Sequence, residues 1–170
     1  MPVVTERDGE VRVFTFKEGV LSAVAHDLEI AVERFRFEWD DARTRVTATF
    51  DAKSLRVLHA IVRGAPSSAL SDRDKRKIED NLRDDVLHVK RFPEIRFQST
   101  RIDGLRVEGT LTLHGTTRAI ATELRQEGGK LIADVPLNQP DFGITPYSAM
   151  LGTLRVQAGV RVKIVVSSNG

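Results

Sequence analysis

The sequence predicts an all-β protein built from about eight antiparallel strands, with one short helix over an end. Three observations predict it. Leu154, Val156, Ala158, Val160, Val162, Ile164 and Val166 alternate without a slip against Arg155, Gln157, Gly159, Arg161, Lys163 and Val165. A period of two marks a strand with one dry and one wet face. As one strand this run would span roughly 43 Å at about 3.3 Å per residue, long enough for a curled sheet, with Gly159 easing a bend. The same period recurs in several earlier runs, and those in the second half are separated by Asp103-Gly104, His114-Gly115 and Gly128-Gly129. Turns this short join antiparallel neighbours.

The elements follow in order. Val11 to Phe16 is an apolar, β-branched first run. Leu28 to Trp39 has a dry set that begins as Ile30, Val32 and shifts phase to Phe35, Phe37, Trp39, so a β-bulge is expected near Glu33 and Arg34. Arg45 to Val57 turns Val46, Ala48 and Phe50 inward. From Leu58 to Phe92 the chain is expected to leave the sheet, with Gly64-Ala65-Pro66-Ser67-Ser68 as a loop. A helix then runs over about 71–87, opened by a Ser71/Asp74 capping box and carrying Ile78, Leu82 and Val86 as a narrow apolar stripe. Four further runs place Ile95 and Phe97, then Val107, Gly109, Leu111 and Leu113, then Ile120 and Leu124, then Leu131, Ala133, Val135 and Leu137 on the dry face. Without amphipathic helices to cover that face, a sandwich or a sheet closed on itself remains, and the hairpin meander favours closure.

The bulk numbers fit one domain over 1–170, with 41% hydrophobic and 29% charged residues. No apolar run is long enough for a transmembrane segment. The first ten residues lack a secretory pattern, so the chain as written is expected in the cytoplasm, or in the periplasm if a signal has been removed. Absence of cysteine excludes disulfides, thiolate nucleophiles and Cys-based metal sites. The 26 basic residues interleave with 24 acidic ones, which describes a solvated surface rather than a nucleic-acid footprint. Association as a homodimer is left open by so balanced a surface.

Three motifs then carry a resemblance. The helix is followed by Lys90-Arg91-Phe92-Pro93-Glu94-Ile95-Arg96-Phe97; Val107 to Thr117 forms a strand, a His-Gly turn and the start of the next strand; Asp141-Phe142-Gly143-Ile144 precedes the final strand. In this order the chain resembles the YceI-like family, lipocalin-like polyisoprenoid-binding proteins of bacteria, over roughly Val11 to Val166. The resemblance implies an eight-stranded antiparallel lipocalin-like β-barrel with a short helical cap and an apolar lumen. It implies binding or carriage of an elongated isoprenoid lipid, such as an isoprenoid quinone or a polyprenyl phosphate, with no catalysis and no cofactor. The alternative is a filled barrel acting as a stress-related interaction module without ligand.

Phe35, Phe37, Phe50, Phe97, Leu111, Leu113, Phe142, Leu154 and Val156 are expected to face the lumen, and small residues (Ala48, Gly109, Ala133, Ala158) to leave room in it. A ligand of about 40 carbons would bind at nanomolar concentration with only ~0.3 kcal/mol per heavy atom. Its head group would meet His26, Arg63, Arg73 or Tyr147 at the mouth. His26-Asp27 and His114 invite a general-base reading, but no nucleophile elbow accompanies them, and turn residues satisfying loop backbone are the simpler account. His26, His59, His88 and His114 lack metal-ligand spacing. Asp141-Phe142-Gly143 lacks a phosphate loop or catalytic loop to accompany it, so it reads as a tight turn in which Asp141 caps, Phe142 plugs the barrel end and Gly143 relieves the backbone.

Overall fold

A computed structural model describes residues 2–18, 26–149 and 154–167, with Leu154 described by its backbone alone. Fifteen strands are labelled in chain order: β1 (Val3–Thr5), β2 (Gly9–Thr15), β3 (Asp27–Val32), β4 (Phe35–Trp39), β5 (Val46–Asp51), β6 (Leu55–Val62), β7 (Ala65–Ser67), β8 (Glu94–Asp103), β9 (Arg106–Leu113), β10 (Thr116–Glu123), β11 (Arg125–Glu127), β12 (Lys130–Asn138), β13 (Ser148–Ala149), β14 (Leu154–Arg155) and β15 (Gly159–Ser167). Helix α1 (Asp72–Asn81) lies between β7 and β8 and runs on into a wider π-helical turn, Leu82–Val86. Its Ser71/Asp74 capping box is formed in both directions.

The strands make two antiparallel sheets, not one closed barrel, and they are more numerous than eight. One sheet has the order β1-β4-β5-β8-β9-β10, the other β11-β12-β15-β2-β3-β6-β7, and β13 pairs with β14 apart from both. Edges remain at β1 and β10 in the first sheet and at β11 and β7 in the second. The two sheets share one ribbon. β3 and β6 pair in the larger sheet, while their continuations β4 and β5 pair in the smaller. The phase shift at Glu33 and Arg34 is therefore a corner at which the chain changes sheets, as strands do in packed sandwiches.

Ser54 holds that corner. Its hydroxyl accepts the Arg34 N–H at 3.0 Å and donates to the Asp51 carbonyl at 2.7 Å, while the Glu33 N–H donates to the Ser54 carbonyl at 3.1 Å. The residue is buried. Ser54→Ala should leave the Arg34 N–H without this partner and lower unfolding free energy by about 1–2 kcal/mol. Chemical denaturation checks this, and an unchanged midpoint would mean that the hydroxyl is dispensable.

Three other expectations change. The run from Leu154 to Val166 is interrupted, because Val156 bridges to Lys17 and the Gln157 N–H donates to the Phe16 carbonyl before β15 begins at Gly159. Gly159 thus opens a strand instead of bending one. The chain also stays in the sheet beyond Leu58. β6 continues to Val62 past a register shift opposite Glu29 and Ile30, and β7 is an edge strand, where the missing N–H of Pro66 is tolerated. Asp141 is exposed and does not cap its turn; Asn138 stands at that position without a side-chain hydrogen bond, and Gly143 closes the turn in the left-handed region at φ 72°.

The hairpins follow from their turn residues. His114-Gly115 joins β9 to β10 with φ of 53° and 74°, and Gly128-Gly129 joins β11 to β12 with 54° and 77°. Two successive positive φ angles match the right-handed strand twist.

Candidate functional site

The inward faces of the two sheets do not meet everywhere. Between them lies a cavity of about 680 Å³, lined by both sheets and by α1. Its layers can be read from the register of the larger sheet. Leu137 faces Val160, then Val135 faces Val162 and Val13, then Ala133 faces Ile164 and Val11, and last Leu131 faces Val166. All of these side chains line the cavity, so the alternation of β12 and β15 gives it its apolar wall.

The two ends differ. Around Val166 and Leu131 the cavity runs into a closed core of Val4, Val11, Val46 and Val107, all at or below 5% exposure. At the opposite end lie the polar lining residues Thr15, His26, Asp74, Lys77, Asn81, Gln139, Tyr147 and Arg155. A chain of hydrogen bonds ties these segments together. Asn81 Nδ2 donates to Tyr147 Oη at 3.1 Å, and the Tyr147 carbonyl accepts the Val156 N–H at 3.0 Å. Gln139 Nε2 donates to the Gln157 carbonyl, Gln157 Nε2 to the Lys17 carbonyl, and the Lys17 N–H to Asp27 Oδ1 beside His26. Thr122, opposite Val107, is the polar lining residue that stands apart.

Helix α1 covers the polar end without burying any of its residues. The stripe of Ile78, Leu82 and Val86 faces the cavity as expected. Glu79 fixes the helix to the sheet: its carboxylate accepts the Val57 N–H at 2.9 Å, where the register shift of β6 leaves that N–H outside the ladder.

Phe37, Phe50, Phe97, Leu111, Leu113, Phe142 and Val156 all line the cavity. Phe35 does not. It is buried beside the corner, edge-on to Phe37 at 5.6 Å, and fills space instead of facing it. The Leu154 side chain lies outside the described residues. Phe142 closes the wall together with Val86, Leu111 and Ile144. Ala48 and Ala133 face the cavity, whereas Ala158 does not line it. Gly109 makes room for Phe97, not for a ligand: a Cβ there would stand 2.5 Å from the Phe97 ring and 2.4 Å from the Gln98 carbonyl oxygen.

Of the residues expected at the mouth, His26 and Tyr147 line the cavity, while Arg63 and Arg73 do not. Arg63 sits exposed in the β6–β7 turn at φ 52°, and Arg73 is exposed on α1. The cations that do line it are Lys77 and Arg155. Lys77 was legible in principle, because Asp74, Lys77 and Asn81 stand three and four residues apart around Ile78, on the helix face that carries the apolar stripe.

His26 and His114 are not brought together. His114 lies outside the cavity lining and pairs with His88, Nε2 to Nδ1, at 3.0 Å, with the Phe92 ring 4.6 Å from its own. Both histidines have left-handed backbone, at φ 53° and 49°. Burial, then the neighbouring His88 and Arg91, push the His114 pKa below its usual range, against a hydrogen bond to the Phe142 carbonyl that raises it. The unfolded chain therefore binds this proton more readily. Stability from this site is complete above about pH 6.5 and is lost as pH falls through the unfolded value toward the folded one. His114→Gln should flatten the fall in melting temperature between pH 7 and pH 5; an identical profile in the variant would assign that fall to other groups. Among the described residues no three His, Asp or Glu side chains converge as a metal site.

Comparison with known proteins places this geometry. The YceI-like domain family matches residues 7–168. Curated proteins offer no match. Two solved structures share the fold: BcnA of Burkholderia cenocepacia, with TM-score 0.61, 18% identity and coverage of 93% of this chain and 94% of that one, and a polyisoprenoid-binding domain from Saccharophagus degradans, with TM-score 0.62, 13% identity and coverage of 96% and 94%. With the family's motifs, the two antiparallel sheets and the match over nearly its whole length, the chain belongs to the YceI-like family.

Proposed function

We propose that this protein binds and carries an elongated isoprenoid lipid between its sheets without transforming it. The single observation that carries this reading is the cavity, about 680 Å³ in volume, apolar along its length and polar at one end. Such a gradient suits an amphiphile whose tail lies toward Val166 and Leu131 and whose head lies beside α1 and Tyr147. Burying each methylene of the tail contributes about 0.8 kcal/mol, so affinity comes mainly from the wall. The polyisoprenoid-binding description of the S. degradans domain, which shares the fold, supports an isoprenoid as the tail.

The head-group end favours a polyprenyl phosphate over a quinone. Lys77, Arg155 and His26 can hold or donate to phosphate oxygens, with Asn81 and Tyr147 as neutral donors. Among the described lining residues Asp74 is the one carboxylate, and its Oδ2 accepts the Ser71 N–H in the capping box. A filled fold acting only through its outer surface finds no support in a cavity of this size.

Organic extraction of the purified, folded protein followed by mass spectrometry tests the proposal. A stoichiometric prenyl species is the expected result. If extracts are blank, and added prenyl phosphates and quinones also fail to bind, the carrier reading is wrong.

A further inference from the structure

We infer that the rim around the polar end of the cavity is a docking surface for an anionic lipid bilayer, with the β6–β7 hairpin and the first turns of α1 as its contact face. The purpose of such a surface rests on the carrier reading, but the surface itself is built from residues outside the cavity. Register brings its parts together. Thr15 pairs with Leu28, Leu28 with Ala60 and Ala60 with Ser67, one row across the larger sheet at the level of the polar lining. Lys17 stands past that row, its N–H donating to Asp27 Oδ1. So does the hairpin tip, Val62-Arg63-Gly64-Ala65, which reaches about 10 Å beyond Ala60 at ~3.3 Å per residue. The chain returns through Ala69 and Leu70, which line the cavity, into α1.

The charge of this rim is available to a partner. Lys17, Arg63, Arg73 and Arg76 are exposed, do not line the cavity, and make no ion pair among the described residues. Of the carboxylates beside them, Asp27 accepts the Lys17 N–H, Asp74 closes the capping box, and Asp72 lies in the first turn of α1, where the helix dipole favours it. Glu18, exposed next to Lys17, offsets one cation and leaves an excess. At the closed end the β1–β2 turn, Glu6-Arg7-Asp8, and the β4–β5 turn, Asp40 to Arg45, show no such excess. The hairpin tip adds an apolar element. Val62 is 41% exposed, with the exposed Ala65 and Pro66 on the facing strand. Apolar side chains flanked by cations suit the boundary between lipid headgroups and acyl chains. A nucleic acid or an acidic protein would use the cations but not Val62. A tail that leaves the cavity at a bilayer also avoids exposing its apolar surface to water.

Flotation with vesicles tests the surface. One set is two parts phosphatidylcholine to one part phosphatidylglycerol, the other phosphatidylcholine alone. The protein should float with the mixed vesicles, not with the neutral ones, and should be released as salt rises. Each cation near an anionic surface raises affinity about fivefold, so Arg63→Gln with Arg73→Gln should weaken binding roughly 25-fold. Arg7→Gln with Lys130→Gln removes the same charge from exposed positions at the closed end and should change it by no more than about twofold. Equal losses in the two double variants would show that net charge and not the rim drives binding, and would overturn the assignment. Failure of the unaltered protein to float with the mixed vesicles would overturn it as well. If lipid is still extracted from protein that does not float, the carrier reading stands without the docking surface. If protein with blank extracts floats and loses this binding only in the rim variant, the docking surface stands without the carrier reading.

Discussion

Leu111→Arg is expected to remove lipid retention altogether and to cost most of the protein's stability. Leu111 sits on β9 opposite Phe97 of β8 and packs with Val86, Phe142 and Ile144, at 7% exposure. A guanidinium there has no carboxylate within its apolar surroundings. Leaving such a charge buried and unpaired costs several kcal/mol, a large part of the 5–15 kcal/mol typical of a domain. If the side chain instead extends into the cavity and keeps its water, the fold survives but the tail meets a hydrated cation in its path. Both routes end without bound lipid. Circular dichroism separates them, and extraction of the variant decides the matter: a folded Leu111→Arg protein that still carries stoichiometric lipid would mean that the cavity is not the site.

Gly109→Ala should be more damaging than the same change at Gly9 or Gly159, the other glycines described within strands. The new Cβ would stand 2.4 Å from the Gln98 carbonyl oxygen, which is backbone and cannot rotate away, and 2.5 Å from the Phe97 ring. β8 and β9 would have to separate locally, and Phe97 would be driven into the cavity. Overpacking of this kind costs about 1–3 kcal/mol. The substitution should also reduce the affinity for any ligand, since the displaced ring takes ligand volume. Combining it with Phe97→Leu should restore part of the binding but little of the stability, because the clash with the Gln98 carbonyl remains. Urea denaturation and a binding titration on the two variants check this. A loss below about 0.5 kcal/mol would show that the strands part easily at this point.

Alternation made the dry faces legible. The inward residues of β12 and β15, with Val107, Leu111 and Leu113 of β9, line the cavity in the phase that their sequence indicates. What alternation does not encode is which edges pair. A side-chain pattern with period two is the same in a closed barrel and in two packed sheets, because closure depends on backbone bonds between distant strands. Here β10 and β11 diverge at Leu124 into different sheets, and the hydrogen bond of the Leu124 N–H goes back to the Leu105 carbonyl. The corner at Ser54 had a local signal, the phase shift after Val32, but a bulge and a change of sheet give the same signal. β6 was obscured by its own register shift, which breaks the period at Leu58. Asn81 and Tyr147, and His88 and His114, meet only through the fold, across separations of 66 and 26 residues. No sequence spacing announces such pairs.

The difference between the two ends of the cavity has a consequence for traffic. A passage open at both ends could let cargo enter from one partner while leaving toward another. A cavity that, among the described residues, runs at one end into the buried cluster of Val4, Val11, Val46 and Val107 offers no second route there. If the protein carries a lipid, donor and acceptor must be met in turn, through the same rim of α1, Tyr147 and Arg155. Each delivery then requires full release before the next loading, and an empty form of the protein is an obligatory stage of the cycle.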